Sequence, residues 1–151
     1  MRWRLVMLSV LAVGVASATA AHAQTRVEET ALATTVYTGP WFQSHAERPW
    51  SGGTAAVSNT ALARATLIFS GTGVSWLGLR GPQTGIARVS LDGVQAPDVD
   101  TYAAAEQLQA VLFARSGLTA DLHFLTIDVT GTMNPAATDA FIVVDAFDVT
   151  P

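Results

Sequence analysis

From residue 27 onward, apolar and polar side chains alternate in short runs separated by clusters of Gly, Pro, Asn, Asp and Ser, the period of half-buried strands. In the run 65–69, Ala65, Leu67 and Phe69 share one face and Thr66 and Ile68 the other. Ser70-Gly71-Thr72-Gly73 then predicts a reversal of the chain. Over 74–80, Val74, Trp76, Gly78 and Arg80 fall on one face and Ser75, Leu77 and Leu79 on the opposite one, because side chains alternate along a strand. Both faces are partly apolar, which places this strand centrally. Residues 86–91 form the next strand, and Asp92-Gly93 supplies the positive φ angles of a two-residue type I′ hairpin. That turn sets Leu91 opposite Val94 and Ser90 opposite Gln95, while Pro97 confines the returning strand to an edge or a bulge.

The same grammar holds on both sides. Short edge strands are expected over 27–29 and 32–37, and further strands over 54–58, 108–114, 124–129 and 141–149. Between Trp41 and Gly53 the period is lost: aromatic residues, His45, Glu47, Arg48 and Pro49 are interleaved, which marks the best candidate for a functional loop. About eight to ten short strands without a convincing helix predict an all-β fold, an antiparallel β-sandwich.

The start of the chain follows a different rule. Arg2 and Arg4 precede an apolar run from Leu5 to Ala16, and Ala21-His22-Ala23 has the small-x-small form of a cleavage site. Residues 1–23 are therefore expected to be a signal peptide and 24–151 one domain, secreted or periplasmic, with no membrane span once the signal is removed. The mature chain would carry six arginines against 12 acidic side chains, a net charge of −6 that argues against nucleic acid as a partner. The chain has no cysteine, so neither a disulfide framework nor a thiolate metal site is available. Lysine is absent as well.

Candidate chemistry is sparse. Asp145 is expected on one face of the last strand with Phe141, Val143, Phe147 and Val149, a carboxylate breaking an apolar stripe. Burying it ionised requires a cation or several donors. Two readings stand side by side: a calcium ligand, with Glu28 or Glu29 of the first strand as co-ligand, or a partner of an arginine or of backbone amides. Adjacent residues point to opposite faces, so one glutamate, Glu29, is expected to join Asp145.

Trp41, Phe42, Trp50 and Tyr102 lie in or beside irregular segments, where an aromatic face either stacks on a sugar ring or anchors a loop. Trp76 is expected in the core. Arg80 and Gln83 flank the loop 81–85 and offer planar hydrogen bonds to hydroxyl or carboxylate ligands, or serve to pin that loop. His45 and His123 stand without acids at ligand spacing and are assigned to no metal. Neither Ser75 nor Ser116 lies in a Gly-x-Ser-x-Gly elbow, and no pair of carboxylates stands out for glycoside hydrolysis, so no catalytic residues are assigned and the chain is read as a non-enzyme.

The segments GTGVSWLGLRGPQTGIARVSLDG and DAFIVVDAFDV give the chain a family likeness. It resembles the galactose-binding-domain-like jelly-roll modules of exported bacterial proteins over nearly all of 27–149. The strand 144–149 looks like the closing hydrophobic-Asp-x-aromatic strand of the calcium-containing carbohydrate-binding modules in that superfamily. The resemblance implies a jelly-roll sandwich that binds a glycan or polysaccharide through its loops, and a structural calcium held in part by Asp145. Those modules space two N-terminal glutamates by one residue, whereas Glu28 and Glu29 are adjacent here.

The first functional expectation is thus a secreted, non-catalytic carbohydrate-binding module, with Trp41, Trp50 and Tyr102 as aromatic contacts, Arg80 and Gln83 as polar selectors, and Glu29 with Asp145 at calcium. The second is a β-sandwich that docks to another exported protein without a sugar ligand. A small hydrolase is the third.

Overall fold

A computed structural model of the chain describes residues 23–44 and 48–151. Residues 1–22 of the expected signal peptide, and His45, fall outside the described residues. Among those described, no helix is long and apolar enough to cross a membrane.

Eleven strands follow in order: β1 (Thr25–Glu28), β2 (Thr35–Thr38), β3 (Phe42–Ser44), β4 (Ala55–Ser58), β5 (Arg64–Arg80), β6 (Ile86–Leu91), β7 (Val94–Gln95), β8 (Val99–Asp100), β9 (Gln107–Val129), β10 (Ile142–Val144) and β11 (Ala146–Thr150). One 3₁₀ turn, Ser51–Gly53, precedes β4. Every ladder is antiparallel, and the fold is the expected β-sandwich. One sheet runs β1-β11-β5-β9-β6-β7, with β2 also on β5 and β8 on β6, and a three-stranded sheet runs β10-β4-β3.

The Asp92-Gly93 hairpin forms as the sequence predicts, with φ of 52° and 78° and Leu91 and Ser90 paired to Val94 and Gln95. The reversal expected at 70–73 does not occur. β5 continues through it, and β9 likewise continues through Ser116-Gly117, so that two strands pair from Arg64↔Asp128 to Arg80↔Gln107. The glycines mark a bulge: the register steps from Gly71↔Asp121 to Gly73↔Ser116, setting residues 117–120 of β9 against Thr72 alone. The bulge also shifts parity. Ala65, Leu67 and Phe69 before it and Val74 and Trp76 after it enter one core, joined by Val89, Ile127, Ile142 and Phe147. Both halves of the long ribbon thereby contribute side chains to that core. Gly71 is required by proximity, since a Cβ there would stand 2.2 Å from the Thr150 carbonyl oxygen.

The last strand is also not continuous. Ile142 and Val144 point into the main core, whereas Val143 faces a smaller cluster with Trp50, Ala55 and Leu79. Beyond Asp145, Phe147 and Val149 point into the main core. Inward positions thus pass from even to odd numbers at Asp145, where the chain leaves the three-stranded sheet for the larger one. Asp145 does not lie on an apolar stripe; it is the hinge between two strands with different sheet partners.

Candidate functional site

The first site forms where the two chain ends meet. β1 pairs with β11, so Glu28 lies opposite Ala146 and beside Asp145. The strand stops at Glu28 and Glu29 begins a turn, so the alternation expected to separate the two glutamates no longer applies. Both carboxylates raise the pKa of Asp145, so Glu28 as well as Glu29 lies within its electrostatic reach. Asp145 is fully buried and Glu29 is 2% exposed. Loss of solvent pushes Asp145 up to about 6, with the Ser51 N–H acting against that shift and the glutamates adding to it. Burial raises Glu29 also, opposed by the Thr54 hydroxyl that donates to it.

The 3₁₀ turn covers this cluster. Ser51 N–H donates to Asp145 Oδ1 at 2.8 Å and Ser51 Oγ to Glu28 Oε1 at 2.9 Å. Arg26 donates to Ser51 Oγ at 2.9 Å but spends its other donors on Asp148, leaving Asp145 without an arginine of its own. One oxygen each of Glu28, Glu29 and Asp145 is buried without a hydrogen-bond partner. Among the described residues no group of three or more His, Cys, Asp or Glu side chains is placed to hold a metal ion.

The second site lies on the outer face of the three-stranded sheet. Phe42, Val57 and Val143 lie in register across β3, β4 and β10, so they share a face. Here Trp50, Val57, Leu79 and Val143 floor a depression of about 240 Å³ that Arg48, Gln83 and Phe141 border. Arg48 bonds Glu106 at 2.9 Å and Gln83 donates to the same Glu106 oxygen at 2.6 Å. A planar guanidinium, an amide and a carboxylate therefore stand in one hydrogen-bonded row beside an apolar floor. The Arg48 guanidinium carbon lies 6.0 Å from the Trp50 ring centroid.

The five expected ligand residues divide among three places. Trp50 and Gln83 meet in this depression, but Trp50 is only 5% exposed. Its expected role as an open stacking platform is corrected to that of a floor, because Ala55, Leu79 and Val143 enclose it. Trp41 is half-buried in a separate groove with Tyr37, its ring 5.2 Å from the tyrosine ring and its N–H on the Thr38 carbonyl. Arg80 donates to the Asp100 carbonyl, and Asp100 accepts from the Tyr102 N–H, so this pair pins the segment 100–102 rather than facing the depression. Sequence reasoning did not select Arg48, Glu106 and Phe141. Arg48 carried a signal, two residues before Trp50 in the aperiodic loop, whereas Glu106 is brought in only by β9.

No family model matches the chain. Over 97 residues it is 37% identical to an A type blood N-acetyl-α-D-galactosamine deacetylase of Flavonifractor plautii, a match to 63% of this chain and 12% of that enzyme. Among solved structures, a two-domain esterase active on acetylated mannans matches with a TM-score of 0.68 at 13% identity, covering 89% of this chain and 38% of that one. A Paenibacillus xanthan lyase matches with a TM-score of 0.55 at 15% identity over 77% of this chain and 12% of its own. The structural matches establish a shared fold. The chain thus spans a small part of the curated relative and of each of these two solved chains.

Proposed function

We propose that this chain is a non-catalytic, exported carbohydrate-binding β-sandwich whose ligand lies in the depression at Trp50, Gln83 and Phe141. The observation that carries this reading is the row Arg48–Glu106–Gln83 beside an apolar floor. Sugars present hydroxyls in the plane of the ring and C–H groups on its faces, and a site of planar donors and acceptors next to apolar carbon complements both. The kinship with a segment of an N-acetyl-α-D-galactosamine deacetylase supports a glycan, and the likeness to a two-domain esterase acting on acetylated mannans is in keeping with an accessory domain. Glu28, Glu29 and Asp145 would hold a structural calcium, supported by their three unpartnered buried oxygens.

Calorimetric titration with acetylated manno-oligosaccharides and with an oligosaccharide ending in N-acetyl-α-galactosamine tests the reading. Saturable binding to either, weakened about tenfold or more by Gln83→Ala or Arg48→Ala without loss of folding, is the expected result. Binding to neither, or binding indifferent to both substitutions, overturns it. A second reading, docking to another exported protein, is favoured by Leu32 and Phe42, which are 73% and 62% exposed beside Trp41. It predicts loss of a partner on Phe42→Ala and no glycan signal.

A further inference from the structure

The outer face of the larger sheet carries a charged row. β5, β9 and β6 pair so that Asp128 lies opposite Arg64 on one side and Arg88 on the other. Along their strands these three alternate with Ala65, Ile127, Ala87 and Val89, which enter the core, so the charged side chains point outward. With Asp98, Leu62 and Thr132 they line a cleft of about 410 Å³, within the roughly 300–1,000 Å³ of small-ligand sites, and it shares no residue with the depression at Trp50. The walls of the cleft are fixed. Leu62 N–H donates to the Val129 carbonyl at 2.9 Å, and Val129 N–H to the Ala63 carbonyl at 2.9 Å. Gly131, with φ of 73°, brings the segment 130–132 against the turn 60–63: a Cβ there would stand 2.9 Å from the Ala61 Cβ.

Folding leaves two features of this lining unexplained. Leu62 has φ of 70°, a conformation unfavourable to any residue with a branched or bulky side chain, and that side chain is 88% exposed. Glycine or asparagine would make the turn at less cost, so neither backbone nor core accounts for a leucine. Arg88 donates no side-chain hydrogen bond among the described residues, its Nε standing 3.7 Å from Asp98 Oδ1. We infer that this cleft is a glycan site additional to the depression, taking a neutral pyranose whose hydroxyls lie between Arg88 and Asp98 and whose C–H face rests on Leu62. The inference goes beyond the depression at Trp50 and stands on its own residues. Arg64 spends Nε and Nη2 on Asp128 and keeps Nη1 for a ligand. Asp98 accepts from Gln95 at 3.5 Å, a long bond. The Thr130 hydroxyl donates to the Ile86 carbonyl, so the Thr132 hydroxyl donates to Thr130 and keeps its lone pairs as acceptors. Spare donors on the arginines and spare acceptors on Asp98 and Thr132 thus line one cleft. A sugar hydroxyl both donates and accepts, and two adjacent hydroxyls match an arginine beside a carboxylate. Two arginines against two aspartates leave the lining without net charge, which disfavours an anion. Leu62 is the one large apolar side chain of the lining that is exposed, too little apolar area for the centre of a protein interface.

An NMR titration of the purified protein reads the two places separately, through the Leu62 methyl groups and the Arg88 Nε–H for this cleft and the Trp50 indole N–H for the depression. The probes are neutral oligosaccharides of mannose, galactose, glucose, xylose and N-acetylgalactosamine, with an oligosaccharide of glucuronic acid as the anionic control. At least one neutral probe is expected to shift the Leu62 and Arg88 signals saturably. Arg88→Gln and Leu62→Asn should each weaken that binding about tenfold or more, through loss of a charge-assisted hydrogen bond and of the apolar contact respectively. Leu62→Asn also separates binding from folding: asparagine adopts positive φ more readily, so the melting temperature should stay level or rise while binding falls. No response of Leu62 and Arg88 to any neutral probe overturns the inference, as does a response that both variants retain in full. A response to the acidic oligosaccharide alone overturns it too, since the cleft would then select a carboxylate. Shifts of Trp50 alone uphold the depression and sink this cleft, and shifts of Leu62 and Arg88 alone do the reverse.

Discussion

Asp92→Asn is expected to destabilise the domain at pH 5 and to have little effect at pH 8. His123 is 6% exposed, with Nδ1 2.7 Å from Asp92 Oδ2 and Nε2 2.8 Å from the Thr119 carbonyl. A neutral imidazole has one N–H, so serving two acceptors requires the imidazolium. The Thr119 carbonyl, then the Asp92 carboxylate, accordingly raise the His123 pKa against the effect of burial. Asp92 is lowered, first by the Phe124 N–H and also by His123. A raised histidine stabilises fully below its unfolded pKa of about 6.5 and ceases to do so as pH climbs through the folded value. A depressed aspartate stabilises above its unfolded value of about 3.9 and loses that as pH falls through the folded one. The pair therefore contributes most between roughly pH 4 and 6.5.

A hydrogen bond between charged groups contributes about 1.5–3 kcal/mol. Because the Asp92 side chain is 42% exposed, solvent screening reduces the expected loss to about 1 kcal/mol at pH 5. Asparagine tolerates the positive φ of 52° at this position, accepts from Phe124 and can donate to a neutral ring, so the substitution isolates the charge. Urea unfolding at pH 5, 6.5 and 8, with an NMR titration of His123 assigned through His123→Gln, measures both quantities. A loss equal at all three pH values, or a His123 pKa that does not fall in the variant, refutes the reasoning.

Three further outcomes are expected. Gly78→Ala should cost more than about 3 kcal/mol in chemical denaturation, beyond ordinary overpacking, because its Cβ would stand 2.2 Å from the Val143 carbonyl oxygen with Leu112 2.7 Å away. Trp50→Ala should lower stability by about 3–5 kcal/mol, the usual cost of truncating a buried tryptophan, whereas Phe42→Ala should stay within about 0.5 kcal/mol in the same assay. In chelator, the wild type should be more stable at pH 5 than at pH 7.5, by about 1.4 kcal/mol from the rise of Asp145 to about 6, since about one pH unit of that rise is titrated by pH 5. The sign follows because a carboxylate with a raised folded pKa binds its proton more tightly in the folded state. Asp145→Asn, which keeps the acceptor for Ser51, should flatten that slope.

What sequence reasoning reached was local. Asp92-Gly93 determined a turn and a register because two positive φ angles in sequence leave the hairpin few alternatives. The continuity of β5 and β9 was not legible, because Ser70-Gly71-Thr72-Gly73 reads equally as a reversal or a bulge. The choice is made by Ser116 and Asp121, some 45 residues away, and by the Thr150 backbone that lies against Gly71. The candidate site divides along the same line. Asp145 announced itself as a carboxylate amid apolar neighbours, yet the pairing of two adjacent glutamates with it depends on where β1 ends. The row Arg48–Glu106–Gln83 joins three segments with no common spacing, and only the closed sheet brings them together.

Asp145 stands between the carboxylate cluster and the depression along the chain. A strand that changes sheets must turn its backbone groups away from one ladder before another begins, and the residue at that point has few fixed partners. Here the Asp145 N–H reaches the Leu77 carbonyl at 3.0 Å and its side chain reaches Ser51, so one residue closes the gap on both sides. On its N-terminal side Val143 lies in the floor of the depression, and on its C-terminal side Ala146 pairs with Glu28. A shift of Asp145 relative to Ser51 must therefore be taken up either by the floor of the depression or by the β1–β11 ladder. The ladder is held by four residue pairs and by the Arg26–Asp148 bridge, while the turn 51–53 carries two glycines at positive φ.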